Sequence, residues 1–223
     1  MLQTSTIKFL KNLQKNNSKE WFDKNRADYE STKADFAELV TGLIQSMSAK
    51  DATIAALTYK DCIFRINRDV RFSKNKAPYK SYMGCYLVKG GKKSMLSGYY
   101  FHCEPGGKSF VGGGLYGAET AQLKKIRQEI DYNWEEFKGI LTDKKFIKVF
   151  GDLLREEGMS LVREPKGYEK ENPAIDYLKL KSWIGSMPLS DTDLTNKDLA
   201  KKIIEAFTAL KPLVLFLNRA LEE

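Results

Sequence analysis

Long apolar runs are missing from this sequence. The longest, Pro212–Leu217, has six residues, against the roughly 18 that a membrane-spanning helix needs. The stretch Met1–Asn17 never joins more than two apolar residues, where the apolar core of a secretory leader runs to about 7–15. Both observations point to a cytoplasmic protein with no membrane partner. Histidine is almost absent, since His102 is the only one. The three cysteines, Cys62, Cys85 and Cys103, are odd in number and widely spaced. That pattern excludes a disulfide framework, a Cys-x-x-Cys zinc site and a histidine-rich metal centre. A Mg²⁺ or Ca²⁺ site made only of carboxylates stays open, so no metal and no cofactor is assigned. Also missing are the Gly-x-Ser-x-Gly elbow of hydrolases, the Lys-Ser/Thr ending of a P-loop and the G-x-G-x-x-G spacing of a dinucleotide fold.

Charge is plentiful and unevenly placed. The 223 residues carry a formal net charge of +8. Residues 60–93 hold ten Lys/Arg against two acids, Asp61 and Asp69, and the remainder balances at 27 of each sign. The whole excess therefore sits in one segment, which suggests an anionic partner. A lysine-studded strand edge that resists aggregation is the alternative. Apolar residues make up 42% and charged residues 30%, a composition suited to a globular chain that buries about 70% of its unfolded surface.

Hydrophobic spacing divides the chain into helical and extended parts. Ile7, Leu10 and Leu13 mark a first helix. Asn17-Ser18 stops it and caps a longer one, from about Lys19 to Met47, striped by Trp21, Phe22, Tyr29, Phe36, Leu39, Val40 and Leu43. From Tyr59 the period becomes two. Strands are expected near 59–72, 82–88, 95–103 and 109–115, with Gly90-Gly91 and Pro105-Gly106-Gly107 as turns. Helical spacing returns at Glu119, Asn133 and Lys144. A short strand fits Trp183–Leu189, and a last helix starts at Asn196, with Pro212 expected to kink or restart it. The chain thus reads as α+β: a single domain over 1–223, with one antiparallel sheet of about four strands (roughly 59–115) between N- and C-terminal helices.

Candidate chemistry concentrates in Arg65-Ile-Asn-Arg68-Asp69-Val-Arg71-Phe72-Ser-Lys-Asn75-Lys76-Ala-Pro-Tyr79-Lys80. On a strand, Arg65, Asn67, Asp69 and Arg71 share one face, and Cys62, Phe64, Ile66, Arg68, Val70 and Phe72 share the other. Two guanidinium forks on a polar face suit a phosphate or carboxylate ligand. Arg65, Asp69, Arg71 and Lys76 are therefore candidate ligand-binding residues, with a surface Arg–Asp–Arg ladder as the alternative. Arg68 falls among apolar neighbours and requires a partner, with the Glu104 carboxylate as candidate. Tyr79, a phenol among cations, is a candidate acid/base group or a hydrogen-bonded wall. His102 shares a strand face with Tyr100 and Glu104, which makes it a candidate general base or a half-buried structural histidine. Gly112-Gly113-Gly114 cradles an anion or permits close backbone packing.

The pattern R-x-x-R-D-x-R-F-x-x-x-K-x-x-Y resembles that of a widespread bacterial family catalogued as a domain of unknown function, whose members have about this length. The resemblance extends over essentially the whole chain, including the segment from Gly98 to Gly106 and the run Gly112–Tyr116. Asn75 stands where the family accepts Asp or Asn, and Asn172 stands where many relatives carry His. The resemblance implies no particular reaction. Three readings follow from the residues. The first is a site for a small anionic ligand, favoured over nucleic acid because Arg, Asp, Lys and Tyr are mixed within 16 residues. The second is a nucleic-acid module built on the basic segment with its tyrosines. The third is a structural charge network in a domain that docks a protein partner.

Overall fold

The computed structural model describes residues 1–222. Its helices are α1 (Thr4–Lys15), α2 (Lys19–Lys24), α3 (Arg26–Ser48), α4 (Tyr59–Cys62), α5 (Thr120–Tyr132), α6 (Trp134–Thr142), α7 (Lys144–Phe150), α8 (Ile175–Leu178), α9 (Asp191–Leu194) and α10 (Leu199–Glu222). The strands β1 (Met83–Leu87), β2 (Gly98–Cys103), β3 (Ser109–Leu115) and β4 (Trp183–Leu189) form one antiparallel sheet in the order β1-β2-β3-β4. The α+β class is as expected, and the last strand is Trp183–Leu189.

The first strand expected from Tyr59 does not form. Thr58 starts a helical turn instead, because the Asp61 carboxylate accepts from its backbone N–H at 2.8 Å and its hydroxyl at 2.6 Å. Such a reciprocal cap favours helix at this position over strand. The chain beyond it is extended but makes only the isolated bridges Ile63–Cys85 and Asn67–Tyr79. Two other boundaries moved. The Lys19–Met47 helix is broken at Asn25, whose side-chain amide donates to the Trp21 carbonyl at 2.8 Å. The final helix runs through Pro212, which is solvent-exposed.

Backbone contacts group the chain into two compact units. The first comprises Met1–Ser94, Tyr100–Val111 and Pro188–Glu205. In it α1 packs along α3, and both bury their apolar stripes, Ile7, Phe9, Leu10 and Leu13 on one and Phe36, Val40, Leu43 and Met47 on the other. Asp35 of α3 holds the start of α1 by accepting from the Gln3 N–H at 2.9 Å and the Thr6 hydroxyl at 2.6 Å. A carboxylate is favourable there, because the first N–H groups of a helix lack internal partners. The Phe36 ring stacks on Phe101 of β2 at 5.9 Å. Alternation on β2 then turns Tyr100 and His102 to the opposite face, which is where the candidate site lies.

The second unit comprises Met95–Tyr99, Gly112–Met187 and Ala206–Glu223. Arg219 joins α10 to α5 and α6 by ion pairs with Glu129 and Glu136, the latter at 2.7 Å. Arg127 donates to the Leu178 carbonyl at 2.7 Å and the Leu180 carbonyl at 3.3 Å. The three consecutive glycines lie within β3. A Cβ on Gly112, Gly113 or Gly114 would run into the backbone carbonyl oxygen of Gly185, Gly98 or Trp183 respectively. Close backbone packing therefore accounts for the run. Gly113→Ala is expected to destabilise the protein by about 1–3 kcal/mol or more, as overpacked sites do. The urea-unfolding midpoint measures this, and an unchanged midpoint would contradict the packing account.

Candidate functional site

The site lies in the first unit and begins with an irregular loop. The Phe64 N–H donates to the Gly84 carbonyl at 3.2 Å, which lays this segment along β1. The chain then leaves the sheet and returns. Arg68 N–H bonds to the Pro78 carbonyl at 2.9 Å and Lys80 N–H to the Ile66 carbonyl at 2.8 Å. These bonds, with the Asn67–Tyr79 bridge, close a loop whose tip is residues 69–77. Its base is clasped by Asn17, whose side chain donates to the Tyr79 carbonyl at 2.9 Å and accepts from the Tyr79 N–H at 3.0 Å. The Tyr79 ring is buried and stacks on Phe22 with centroids 3.9 Å apart.

Side chains of the pattern brace this loop by bonds to its own backbone and to one another. The half-buried Arg68 guanidinium donates to the Ala77 carbonyl at 3.0 Å and the Ser73 hydroxyl at 3.3 Å. It does not pair with Glu104. The Ala77 carbonyl has no strand partner here, and a guanidinium supplies donors in a fixed fork. The Lys76 ammonium donates to the Val70 carbonyl at 3.1 Å. Asn75 accepts from the Ala77 N–H at 2.9 Å. Arg71 grips Asp69 through two bonds of 3.0 and 2.6 Å. The pair holds the Asp69 carboxyl below its usual range and the guanidinium above its own.

Alternation survives without a ladder. Arg65, Asn67, Asp69 and Arg71 are exposed, while Cys62 and Ile66 are buried and Phe64, Arg68 and Val70 are half-buried. Phe72 departs from it, because its side chain is 96% exposed rather than set among the apolar positions.

His102 occupies the centre of a polar chain on the outer face of β2. Its Nδ1 lies 3.1 Å from the Tyr100 hydroxyl and its Nε2 3.1 Å from a Glu104 carboxylate oxygen. A carboxylate accepts, so Nε2 carries the proton and Nδ1 accepts from the phenol. The other Glu104 oxygen lies 3.4 Å from the Lys108 ammonium. His102 is buried between Phe110, stacked at 5.0 Å, and Tyr82, at 4.4 Å. Burial lowers the imidazole pKa, opposed by the Glu104 hydrogen bond and charge. Burial also pushes the Tyr100 phenol upward. Gly84 of β1 makes this arrangement possible, since a Cβ there would lie 2.6 Å from the Tyr100 hydroxyl.

Two cations border this aromatic face. The Lys80 ammonium lies 5.5 Å from the Phe64 ring centre and 5.7 Å from that of Tyr82. Its pKa is lowered by burial and by the nearby positive charge of Arg65. Among the described residues neither Lys80 nor Arg65 forms an ion pair with a carboxylate, although the charge of Arg65 reaches Asp69. Of the residues singled out in the sequence, Arg65, His102 and Glu104 therefore belong to this region. Arg68, Asp69, Arg71 and Lys76 are engaged within the loop, and Tyr79 is engaged in packing beneath it. Tyr100 was placed beside His102 and Glu104 by alternation, whereas Phe64, Lys80, Tyr82 and Phe110 were given no place in a small-ligand site. Gly84 between Tyr82 and Tyr86 was the available signal, because a glycine inside an aromatic strand marks a place where a neighbour comes close. Asn172, by contrast, lies in the second unit and donates to Asp131 at 2.6 Å. No group of three or more His, Cys, Asp or Glu among the described residues could hold a metal ion. No helix is long and apolar enough to cross a membrane.

A model of the family described as "Conserved hypothetical protein (DUF2461)" matches residues 5–216, and the chain belongs to that family. No curated protein and no solved structure matches it.

His102 is the only histidine, so its ring signals can be followed by NMR without assignment. Its midpoint is expected below the usual 6.5. Glu104→Gln should lower it further, because both Glu104 contributions raise it. A depressed histidine pKa leaves the unfolded chain binding more protons between the folded midpoint and the ordinary value. Stability should therefore rise as the pH rises through that window and be lost as the pH falls through it, and more so in the variant. A midpoint above 6.5 in the wild type would refute the burial argument.

Proposed function

We propose that this member of the DUF2461 family binds a cytoplasmic ligand carrying a phosphate or carboxylate group, with Arg65 and Lys80 holding the anion against the aromatic face of Phe64 and Tyr82. The observation that carries this reading is that Lys80, set over the Phe64 and Tyr82 rings, lies close enough to Arg65 to feel its charge while neither cation is ion-paired. Like charges repel at such a position, and an anionic ligand removes that cost while gaining a charge-assisted contact to each. A planar ligand suits the rings beside them, since ring faces stack and a cation sits over two of them. His102 is suited to exchange a proton with such a ligand. It is neutral near pH 7, fixed in one tautomer by Glu104, and joined to a Tyr100 phenol that keeps its proton. No reaction type follows from these groups alone. Three unpaired buried thiols agree with a reducing compartment.

The residues inside the loop support a structural role for part of the pattern. Arg68, Lys76 and the Asp69–Arg71 pair set the shape of the loop, and the ligand is assigned to its flank.

Thermal unfolding at low salt with inorganic phosphate, nucleotides, sugar phosphates and di- or tricarboxylates tests the proposal. A ligand at 100 times its dissociation constant adds roughly 2.7 kcal/mol, a rise of about 5–11 °C for a chain of this size. Arg65→Ala and Lys80→Ala should each abolish most of that rise, and Arg71→Ala should leave it. No shift with any anion, or a shift that persists in the Arg65→Ala/Lys80→Ala double variant, would overturn the assignment.

A further inference from the structure

The tip of the 69–77 loop presents Phe72 with its side chain 96% exposed. A lone apolar residue on a surface is ordinary. The setting of this one is not, because the segment that presents it is fastened from several sides. Arg68 ties Ala77 and Ser73, Lys76 ties Val70, Asn75 ties Ala77, and Asn17 clasps the base at Tyr79. The loop is braced by cations where water or carboxylates could have served, so its surroundings stay basic. Residues 65–80 contain six Lys/Arg and one acid. That acid, Asp69, is already bound to Arg71. The Arg71 guanidinium in turn lies 5.9 Å from the centre of the Phe72 ring.

We propose that this tip contacts single-stranded nucleic acid, with Phe72 stacking on an unpaired base and Arg71 and Lys74 beside the adjoining phosphates. A bare aromatic face next to fixed cations is the pairing by which proteins hold single strands without reading sequence. A duplex hides its base faces and gives the ring nothing to stack on. A bilayer calls for a wider apolar surface than one ring, and the residues that follow Phe72 are Ser73, Lys74 and Asn75. The surface uses neither Arg65 nor Lys80, so it stands or falls separately from the small-anion site.

The test is fluorescence anisotropy with a labelled oligothymidylate of about 15 nucleotides, close to the upper single-strand site size, at about 50 and 200 mM salt. Binding should weaken steeply with salt. Phe72→Ala should weaken it about 5- to 150-fold, the value of one stacked base. Phe72→Trp should retain it, with the new indole emission quenched by the oligonucleotide. Arg65→Ala should leave the Phe72 dependence in place. Phe72 is 96% exposed and its ring meets only the neighbouring Arg71 guanidinium, so the unfolding midpoint of each Phe72 variant should stay close to that of the wild type. No binding at low salt, equal binding by Phe72→Ala, equal binding of a duplex of the same length, or Phe72-dependent binding to phosphatidylserine vesicles in its place would each overturn the proposal.

Discussion

A loop that leaves a sheet loses the strand partner that would satisfy its backbone, and the segment between Asn67 and Tyr79 meets this constraint with cationic side chains. Arg68 and Lys76 both donate to main-chain carbonyls across the loop. Hydrogen bonds to charged donors contribute roughly 1.5–3 kcal/mol where they are shielded from water, so the part-buried Arg68 bond is the stronger brace and the exposed Lys76 bond the weaker. Asn17 performs the same service at the base, offering a donor and an acceptor to the two backbone groups of Tyr79. With Tyr79 stacked on Phe22, the loop is tied to α2. The positions of Arg65, Lys80 and Phe72 follow from that frame.

Much of this was legible in the sequence, for identifiable reasons. The helical stretches with long apolar stripes were legible because burial of a continuous stripe overrides local propensity, although the stripe from Lys19 to Met47 did not reveal the break at Asn25. The period of two between Cys62 and Arg71 correctly separated exposed from half-buried positions, yet it does not separate a strand in a ladder from an extended segment bordering one. Thr58 and Asp61 were the residues that mattered there, and a cap made by two side chains within one turn is easily outweighed in a sequence by the alternation that follows it. Arg68 was rightly taken to need a partner. Sequence distance could not reveal that the partner would be a carbonyl nine residues away in the same loop. Phe72 escaped the alternation because the chain turns at Arg71–Phe72, and a turn resets which side each residue faces.

The opposite face of β2 shows how a small residue can prepare a polar arrangement. Gly84 leaves room for the Tyr100 hydroxyl, the hydroxyl donates to His102, and Glu104 holds the far side of the ring. Each step fixes the next. The result is an imidazole with one tautomer and low basicity, enclosed by Tyr82 and Phe110. Its two nitrogens are both engaged, so any proton exchange with a ligand passes through the Tyr100 hydroxyl or displaces it.

The excess charge of the chain serves two purposes at once. A cation that donates to a carbonyl still carries its full charge, so the residues that build the loop also make its surroundings positive. Asp69 forms its ion pair with Arg71 at the tip and also feels the charge of Arg65, while neither Arg65 nor Lys80 is itself ion-paired to a carboxylate. Had the loop been braced by carboxylate–ammonium pairs, the same shape would have come with little net charge and little attraction for an anion. Bracing through carbonyls couples fold to charge, and it explains how a segment so rich in structural contacts can also be the part of the molecule best suited to meet an anionic partner.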